Sequence, residues 1–321
     1  MPERQQNAPT ALLDRSDIAQ DNAILRLSPA WLHPYLKLAR LDRPIGTWLL
    51  LFPCWWSLAL ALKAESGMTR LGWQDLVPVL YFALGALIMR GAGCTFNDIA
   101  DRDFDAKVAR TALRPIPAGQ VSVKQAAAFL GVLLLAGLAI LLQFNGLTVI
   151  LGISSLALVA TYPFMKRITY WPQAWLGLTF NWGALMGWTA ITGSLSWPPL
   201  LLYIGGLAWT LGYDTIYAHQ DKEDDALIGV KSTALKLGSA TKSWLVVFYG
   251  LALALMGAAG WLIGLNWIFL AALAAMAVQM AWQVIQLRQD DPADCLRKFH
   301  SNRILGWLYM VGIIASGLRV A

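Results

Sequence analysis

Cysteine and histidine are scarce in this chain of 321 residues. The cysteines are Cys54, Cys94 and Cys295, scattered and flanked by apolar or basic residues. Neither a disulfide framework nor a cysteine zinc site is indicated. The histidines, His33, His219 and His300, are equally dispersed, which argues against a histidine metal centre. Charge is scarce too. Asp, Glu, Lys and Arg make up 14% of the residues, against about 25% in an ordinary soluble domain. Short strands of alternating polarity are missing, which excludes a transmembrane β-barrel. The first 28 residues lack the apolar core of a secretory signal.

What is present is apolar. Hydrophobic residues account for 57% of the chain, with 16 Trp among them. Several runs approach the roughly 20 residues a bilayer crossing requires. The pattern predicts an all-α polytopic membrane protein with about nine spans, near 44–62, 75–96, 123–143, 146–164, 173–192, 197–217, 243–262, 265–287 and 303–319. Residues 1–28 read as a disordered polar tail and 29–321 as a single membrane domain. Trp31, Tyr35, Leu38 and Leu41 recur at helical spacing, so 30–41 is expected to be an amphipathic helix lying in the interface.

The loops fall into two classes. Residues 1–43, 97–122, 165–172, 218–242 and 288–302 are polar and hold nearly all the Lys and Arg, with Arg303 at the edge of the last. The exceptions are Lys63, Arg70, Arg90, Lys124 and Arg319. The positive-inside rule places the first class on one side, read as cytoplasmic, with the N-terminus inside and the C-terminus outside. The net charge of +6 is thus a topology signal, and no nucleic-acid partner is expected. Glu3, Asp14, Asp17 and Asp21 set the tail apart from acid-poor mitochondrial transit peptides. The expected location is a bacterial inner membrane, with a periplasmic C-terminus.

Two acidic clusters interrupt this apolar background. One reads Asn97-Asp98-Ile99-Ala100-Asp101-Arg102-Asp103-Phe104-Asp105, the other Asp221-Lys222-Glu223-Asp224-Asp225. Asp101/Asp105 and Asp221/Asp225 are each four apart, a spacing that puts both carboxylates on one helix face. Carboxylates gather against their own repulsion where a cation joins them, and Mg²⁺ bridging a diphosphate is the candidate. Arg110 and Arg114, also four apart, suit anionic oxygens. Asp214 falls inside an apolar run and reads as a buried carboxylate. Asp101 to Asp221 and Asp105 to Asp225 share one offset, which suggests two parallel four-helix halves, about 44–164 and 173–287, plus a ninth helix.

Four segments together carry a family resemblance. They are Arg40-Leu41-Asp42-Arg43-Pro44-Ile45-Gly46-Thr47, the Asn97–Asp105 signature with its following Arg110, Arg114, Pro115, Pro117 and Gly119, the Tyr162–Gly177 stretch with Lys166-Arg167, and Tyr213-Asp214-Thr215-x-Tyr217-Ala218-x-x-Asp221-x-x-Asp224-Asp225. From Arg40 onward the chain resembles the UbiA superfamily of intramembrane aromatic prenyltransferases, and the Tyr213–Asp225 string is similar to its 4-hydroxybenzoate branch. Glu223 stands where another residue is often found. The resemblance implies helices around a central cavity open to lipid, with a helical cap on the cytoplasmic side. It implies one Mg²⁺ on Asn97, Asp98, Asp101 and Asp105 and another on Asp221 and Asp225. Arg102, Arg110, Arg114, Lys166, Arg167 and Lys231 are its candidates for the diphosphate oxygens. Arg40 and Arg43 are candidates for an aromatic carboxylate, and Asp214 or Asp221 for the phenolic proton. The implied substrates are a polyprenyl diphosphate and 4-hydroxybenzoate, in ubiquinone biosynthesis, with no required protein partner. Another acceptor (a naphthoate, homogentisate or haem) is the neighbouring reading. A cation transporter is the remote one, since it should place its acids near the bilayer midplane and here they fall at span ends beside basic residues.

Overall fold

The computed structural model describes residues 23–68, 72–108 and 110–317. The expected tail, up to residue 22, lies outside the described residues. Every element described is helical, as lipid demands of a backbone that must satisfy its own hydrogen bonds. In chain order these are α1 (Ala23–Leu27), a 3-10 turn (Ala30–Leu32), α2 (His33–Leu38), α3 (Ile45–Ser66), α4 (Trp73–Asp105), α5 (Val123–Leu141), α6 (Gly146–Ile168), α7 (Pro172–Asn181), α8 (Gly183–Thr192) and α9 (Trp197–Ala218). There follow a 3-10 turn (His219–Asp221), α10 (Lys222–Ile228), α11 (Thr233–Leu237), a 3-10 turn (Gly238–Ala240), α12 (Thr241–Leu262), α13 (Trp267–Ile285) and α14 (Pro292–Gly317).

Six segments are long and apolar enough to cross a membrane by length and composition: Ile45–Ser66, Trp73–Asp105, Val123–Leu141, Gly146–Ile168, Thr233–Leu262 and Trp267–Ile285. The three other expected spans are helical but differ in character. Residues 173–192 divide at Trp182 into α7 and α8. Helix α9 is diluted by Trp, Tyr, Gly and Pro. Helix α14 begins in the charged stretch Pro292–Lys298. The count of nine therefore rests on the sequence.

The described residues pack as two compact units. The first takes the chain up to Gly46 and again Gly85–Ala139; the second takes Thr47–Leu84 and the chain from Ile140 on. The grouping is interleaved along the chain. In the first unit Leu38, Val121 and Ala126 form a buried cluster joined by Tyr35, Ile99, Ile116 and Phe129. Tyr35 meets Phe129 edge-on at 5.2 Å. The expected amphipathic segment 30–41 is thus the 3-10 turn plus α2, with Leu38 inward and Trp31 exposed. It ends at Arg40, a non-glycine residue in the left-handed region, φ 57°.

In the second unit α3 is held along its length. Trp56 Nε1 donates to the Gly306 carbonyl at 2.9 Å, and Ser57 Oγ donates to the Ala184 carbonyl. Gly183 and Gly187 form a small-xxx-small face on α8, the pattern that lets membrane helices approach closely. A Cβ on Gly187 would lie 2.2 Å from the Cys54 carbonyl oxygen. Caps follow the sequence. Asn145 Oδ1 accepts from Thr148 N at 3.0 Å ahead of α6, and Asn266 Oδ1 accepts from Ile268 N at 2.9 Å ahead of α13. These side chains satisfy donors that a helix start leaves open.

A buried ion pair anchors the start of α14. The Lys298 ammonium, with none of its side chain exposed, lies 3.1 Å from Asp294 Oδ1 and 4.2 Å from the Trp282 ring centroid. Burial alone pushes the Asp294 carboxyl up. The Arg288 N–H, Lys298 and Arg297 together outweigh it and hold the group below the usual carboxylate range. The stability it contributes is therefore present above the unfolded pKa and is lost only as pH falls through the depressed folded value. Asp294→Ala strands a buried ammonium and is expected to destabilise by about 3–5 kcal/mol. The double variant Asp294→Ala/Lys298→Met should recover much of that loss. Unfolding in detergent measures both; equal losses in the single and double variants would contradict the pairing.

Candidate active site

The first acidic set occupies the last turns of α4. Asn97, Asp101 and Asp105 recur every fourth residue, and Asp98 lies beside them on the same side of the helix. Asp98, Asp101 and Asp105 are all buried. Arg102 and Asp103 are turned away, 46% and 80% exposed, and lie 3.6 Å apart; Arg102 Nη1 also donates to the Ile99 carbonyl at 3.2 Å. A solvated pair of that kind contributes little, and the structure does not bring Arg102 to the buried acids. After α4 a series of turns reverses the chain. Thr111 Oγ1 donates to the Asp105 carbonyl at 2.8 Å, and Gly119 supplies a left-handed turn, φ 70°. The reversal returns Arg114 to the helix it left. Its Nη1 donates to Asp105 Oδ2 at 2.9 Å and to Asp98 Oδ1 at 3.2 Å. Arg40 Nη2 donates to the same Asp98 Oδ1 at 2.6 Å and its Nη1 to the Lys37 carbonyl at 2.9 Å. Arg43 Nε lies 3.4 Å from Asp42 Oδ2. Arg110 is half-buried in the turns between α4 and Arg114.

The second set is divided by a break in the helix. Asp214 sits near the end of α9, Asp221 in the 3-10 turn, and Asp225 on α10, all half-buried. Asp221 stands at the N-cap of α10 with φ −108° and ψ 6°. The four-residue spacing of Asp221 and Asp225 thus spans a cap, not a continuous helix face. His219 Nε2 pairs with Thr241 Oγ1 at 3.1 Å. Burial, reinforced by Lys222 and opposed by Asp290, pushes its imidazole down to about 4. It is neutral at physiological pH. Lys166 and Arg167 form the last turn of α6, where Arg167 lies over the Phe164 ring at 5.3 Å.

Lys231 reaches the end of α6. Its Nζ donates to the Ile168 carbonyl at 3.1 Å, and its backbone N–H donates to the Lys166 carbonyl at 2.8 Å. Two residues on, Thr233 N donates to Gln173 Oε1 at 3.1 Å. The segment straps the loop after α10 onto the end of α6 and the start of α7.

The donors in the first unit fit a hard divalent cation. They are all oxygens, as Mg²⁺ prefers. Asn97 Oδ1 and Asp98 Oδ2 are buried without a hydrogen-bond partner, and such atoms are costly unless something meets them. Among the described residues no group of three His, Cys, Asp or Glu side chains closes into a metal cage by itself.

Comparison with known proteins assigns the chain. Residues 50–310 match the model of the UbiA prenyltransferase family. The chain belongs to the UbiA prenyltransferase family. It is 51% identical over 288 residues to the mitochondrial 4-hydroxybenzoate polyprenyltransferase of Arabidopsis thaliana, covering 89% of this chain and 69% of that protein. To the human mitochondrial protein of the same name it is 51% identical over 301 residues, 92% and 78% of the two chains. Among solved structures, the apo form of a UbiA homolog from Aeropyrum pernix K1 superposes with a TM-score of 0.71 at 25% identity, over 84% of this chain and 98% of that one. A UbiA homolog from Archaeoglobus fulgidus bound to GPP and Mg²⁺ shares the fold with a TM-score of 0.56 at 17% identity, over 88% and 99%.

These relatives correct the expected location. The curated proteins it matches at about half identity are named as mitochondrial and come from eukaryotes, so a bacterial inner membrane is not supported. That expectation leaned on acidic residues within 1–22, outside the described residues.

One arginine of α4 was given no role by the sequence. Arg90 lies on α4 seven residues before Asn97, two helical turns along the same side. Gly46 makes room for it: a Cβ there would sit 2.5 Å from Arg90 Nε. The available signal was an arginine embedded in an apolar run, which in a membrane chain marks function by default.

Proposed function

We propose that this chain transfers a polyprenyl group from a polyprenyl diphosphate to the ring carbon ortho to the hydroxyl of 4-hydroxybenzoate, with Mg²⁺, as a step of ubiquinone biosynthesis. The observation that carries this reading is identity of about one half, over 89% or more of the chain, to proteins named for that reaction. The acidic sets supply its chemistry. Asn97, Asp98, Asp101 and Asp105 would hold one Mg²⁺, and Asp221 and Asp225 would hold another. When bound, the ion supplies positive charge to phosphate oxygens as they become a leaving group. Arg110, Arg114, Lys166 and Arg167 donate to those oxygens, and donors aimed where charge grows favour the transition state over the ground state. The allylic C–O bond breaks and the diphosphate leaves with its electron pair. Asp214 or Asp221 orients the phenol or accepts its proton, the ring carbon takes the prenyl cation, and the ring proton given up on rearomatisation restores the hydroxyl. Apolar helix walls keep water from capturing the cation as an alcohol. Lys231 acts by bracing its loop, and Arg102 stays in solvent.

The experiment is turnover by purified protein in lipid, supplied with Mg²⁺, 4-hydroxybenzoate and a polyprenyl diphosphate. Prenylated acid is expected, and exhaustive chelation should abolish it. A site built around a buried polar partner rejects an analogue lacking that group by about 10⁴-fold or more. Benzoate without the 4-hydroxyl should therefore give no product. Comparable kcat/KM for a dihydroxynaphthoate would transfer the assignment to a sister acceptor.

A further inference from the structure

Arg40 is the one described cation whose backbone and side chain are both unusual. It is buried at 7% exposure and adopts φ 57°, a region that disfavours a non-glycine residue. Strain of this kind persists where surrounding contacts over-determine it. Two such contacts are present. Nη1 donates back to the Lys37 carbonyl, closing the end of α2, and Nη2 donates to Asp98 Oδ1 at 2.6 Å. The left-handed turn is what points the guanidinium back across both. Arg114 also donates to Oδ1 of Asp98, at 3.2 Å. Both guanidinium groups thus meet the same oxygen, and Oδ2 is buried without a hydrogen-bond partner.

We propose that Arg40 is a positioning residue for Asp98, fixing the carboxylate through Oδ1 so that Oδ2 is presented to the divalent cation. It is not a ligand of the aromatic acid. This rests on the metal reading given above and assigns Arg40 a role within it. A carboxylate with one oxygen pinned cannot rotate away, and the partner that pins a metal ligand commonly carries about 10–100-fold of metal affinity. Because the same guanidinium caps α2, the interfacial segment and the metal ligand are tied through one side chain.

The test is Mn²⁺ binding to the full-length protein in detergent, read by electron paramagnetic resonance without substrate. Arg40→Gly is the informative variant. Glycine accepts φ 57° without strain, so folding is retained while the guanidinium is lost. Arg40→Lys keeps the charge but offers one ammonium for two acceptors that are now met by two nitrogens. The expected result is that Arg40→Gly weakens one class of Mn²⁺ site by about 10–100-fold. Arg40→Lys should fall between it and wild type. In turnover assays the Mg²⁺ dependence should shift while KM for 4-hydroxybenzoate stays within about twofold. Unchanged Mn²⁺ affinity in Arg40→Gly, with KM for the aromatic acid raised, would overturn the proposal and leave the metal reading standing. Wild-type protein that takes up no Mn²⁺ would overturn both. Circular dichroism and the unfolding midpoint show whether each variant is folded. If Arg40→Gly does not fold, the Arg40→Lys series decides, and wild-type Mn²⁺ affinity there would count against the role.

Discussion

Asp101→Ala and Asp221→Ala are each expected to reduce turnover by about 10²-fold or more, the scale seen when one group that stabilises transition-state charge is removed. Asp101 is 1% exposed on the buried side of α4, with Asp98 and Asp105. Removing it takes one carboxylate from a set that repels itself, so the folded state should not suffer greatly. The unfolding midpoint is expected to stay within a few degrees of wild type. Asp103→Ala is the matched control. It carries the same charge two residues away, but its side chain is 80% exposed, and its turnover should remain near wild type. Equal losses at Asp101 and Asp103 would show that net charge in the loop, not a ligand set, is what matters. Wild-type rates in Asp101→Ala or Asp221→Ala, at equal amounts of folded protein, would sink the two-ion reading.

Gly187→Ala should do the opposite, harming stability before chemistry. The added Cβ would meet the Cys54 carbonyl oxygen at 2.2 Å and the Leu58 nitrogen at 3.0 Å. Both are backbone atoms, so no rotamer change relieves the clash; α3 or α8 must shift. Overpacking commonly costs 1–3 kcal/mol, and a backbone obstacle puts this site at about 3 kcal/mol or beyond. The measurement is the unfolding midpoint in detergent. Gly250→Ala, on α12 where an added Cβ meets nothing within 4 Å, should be neutral or gain a few tenths of a kcal/mol from reduced chain entropy. Similar midpoints for the two variants would refute the close approach of α3 and α8.

What the sequence made legible follows from separation along the chain. The Asn97–Asp105 set could be read because a single helix carries it, and helical period fixes which side chains share a side. Arg40 could not be assigned to Asp98, because 58 residues separate them and only tertiary packing joins them. The Asp221/Asp225 spacing hid one detail: Asp221 closes a 3-10 turn and caps α10, whereas Asp225 lies within that helix. The charge of Lys231 is visible in a sequence, whereas the Ile168 carbonyl that its ammonium meets is not. The interleaving of the two units was hidden for the same reason. Hydropathy locates helices without saying which of them touch.

The hold on α3 has a bearing on how the protein is made. Trp56 and its acceptor at Gly306 are 250 residues apart, and Ser57 and its acceptor at Ala184 are 127 apart. At about 5–20 residues per second, α3 emerges roughly 12–50 s before α14. During that interval its indole N–H lacks the acceptor it finally uses, and the Phe52 ring lacks the glycine notch on α14 that receives it. Insertion and assembly are therefore separate events for this helix. Helix α3 is thus made well before the partners that hold it, and the second unit closes only when α14 arrives.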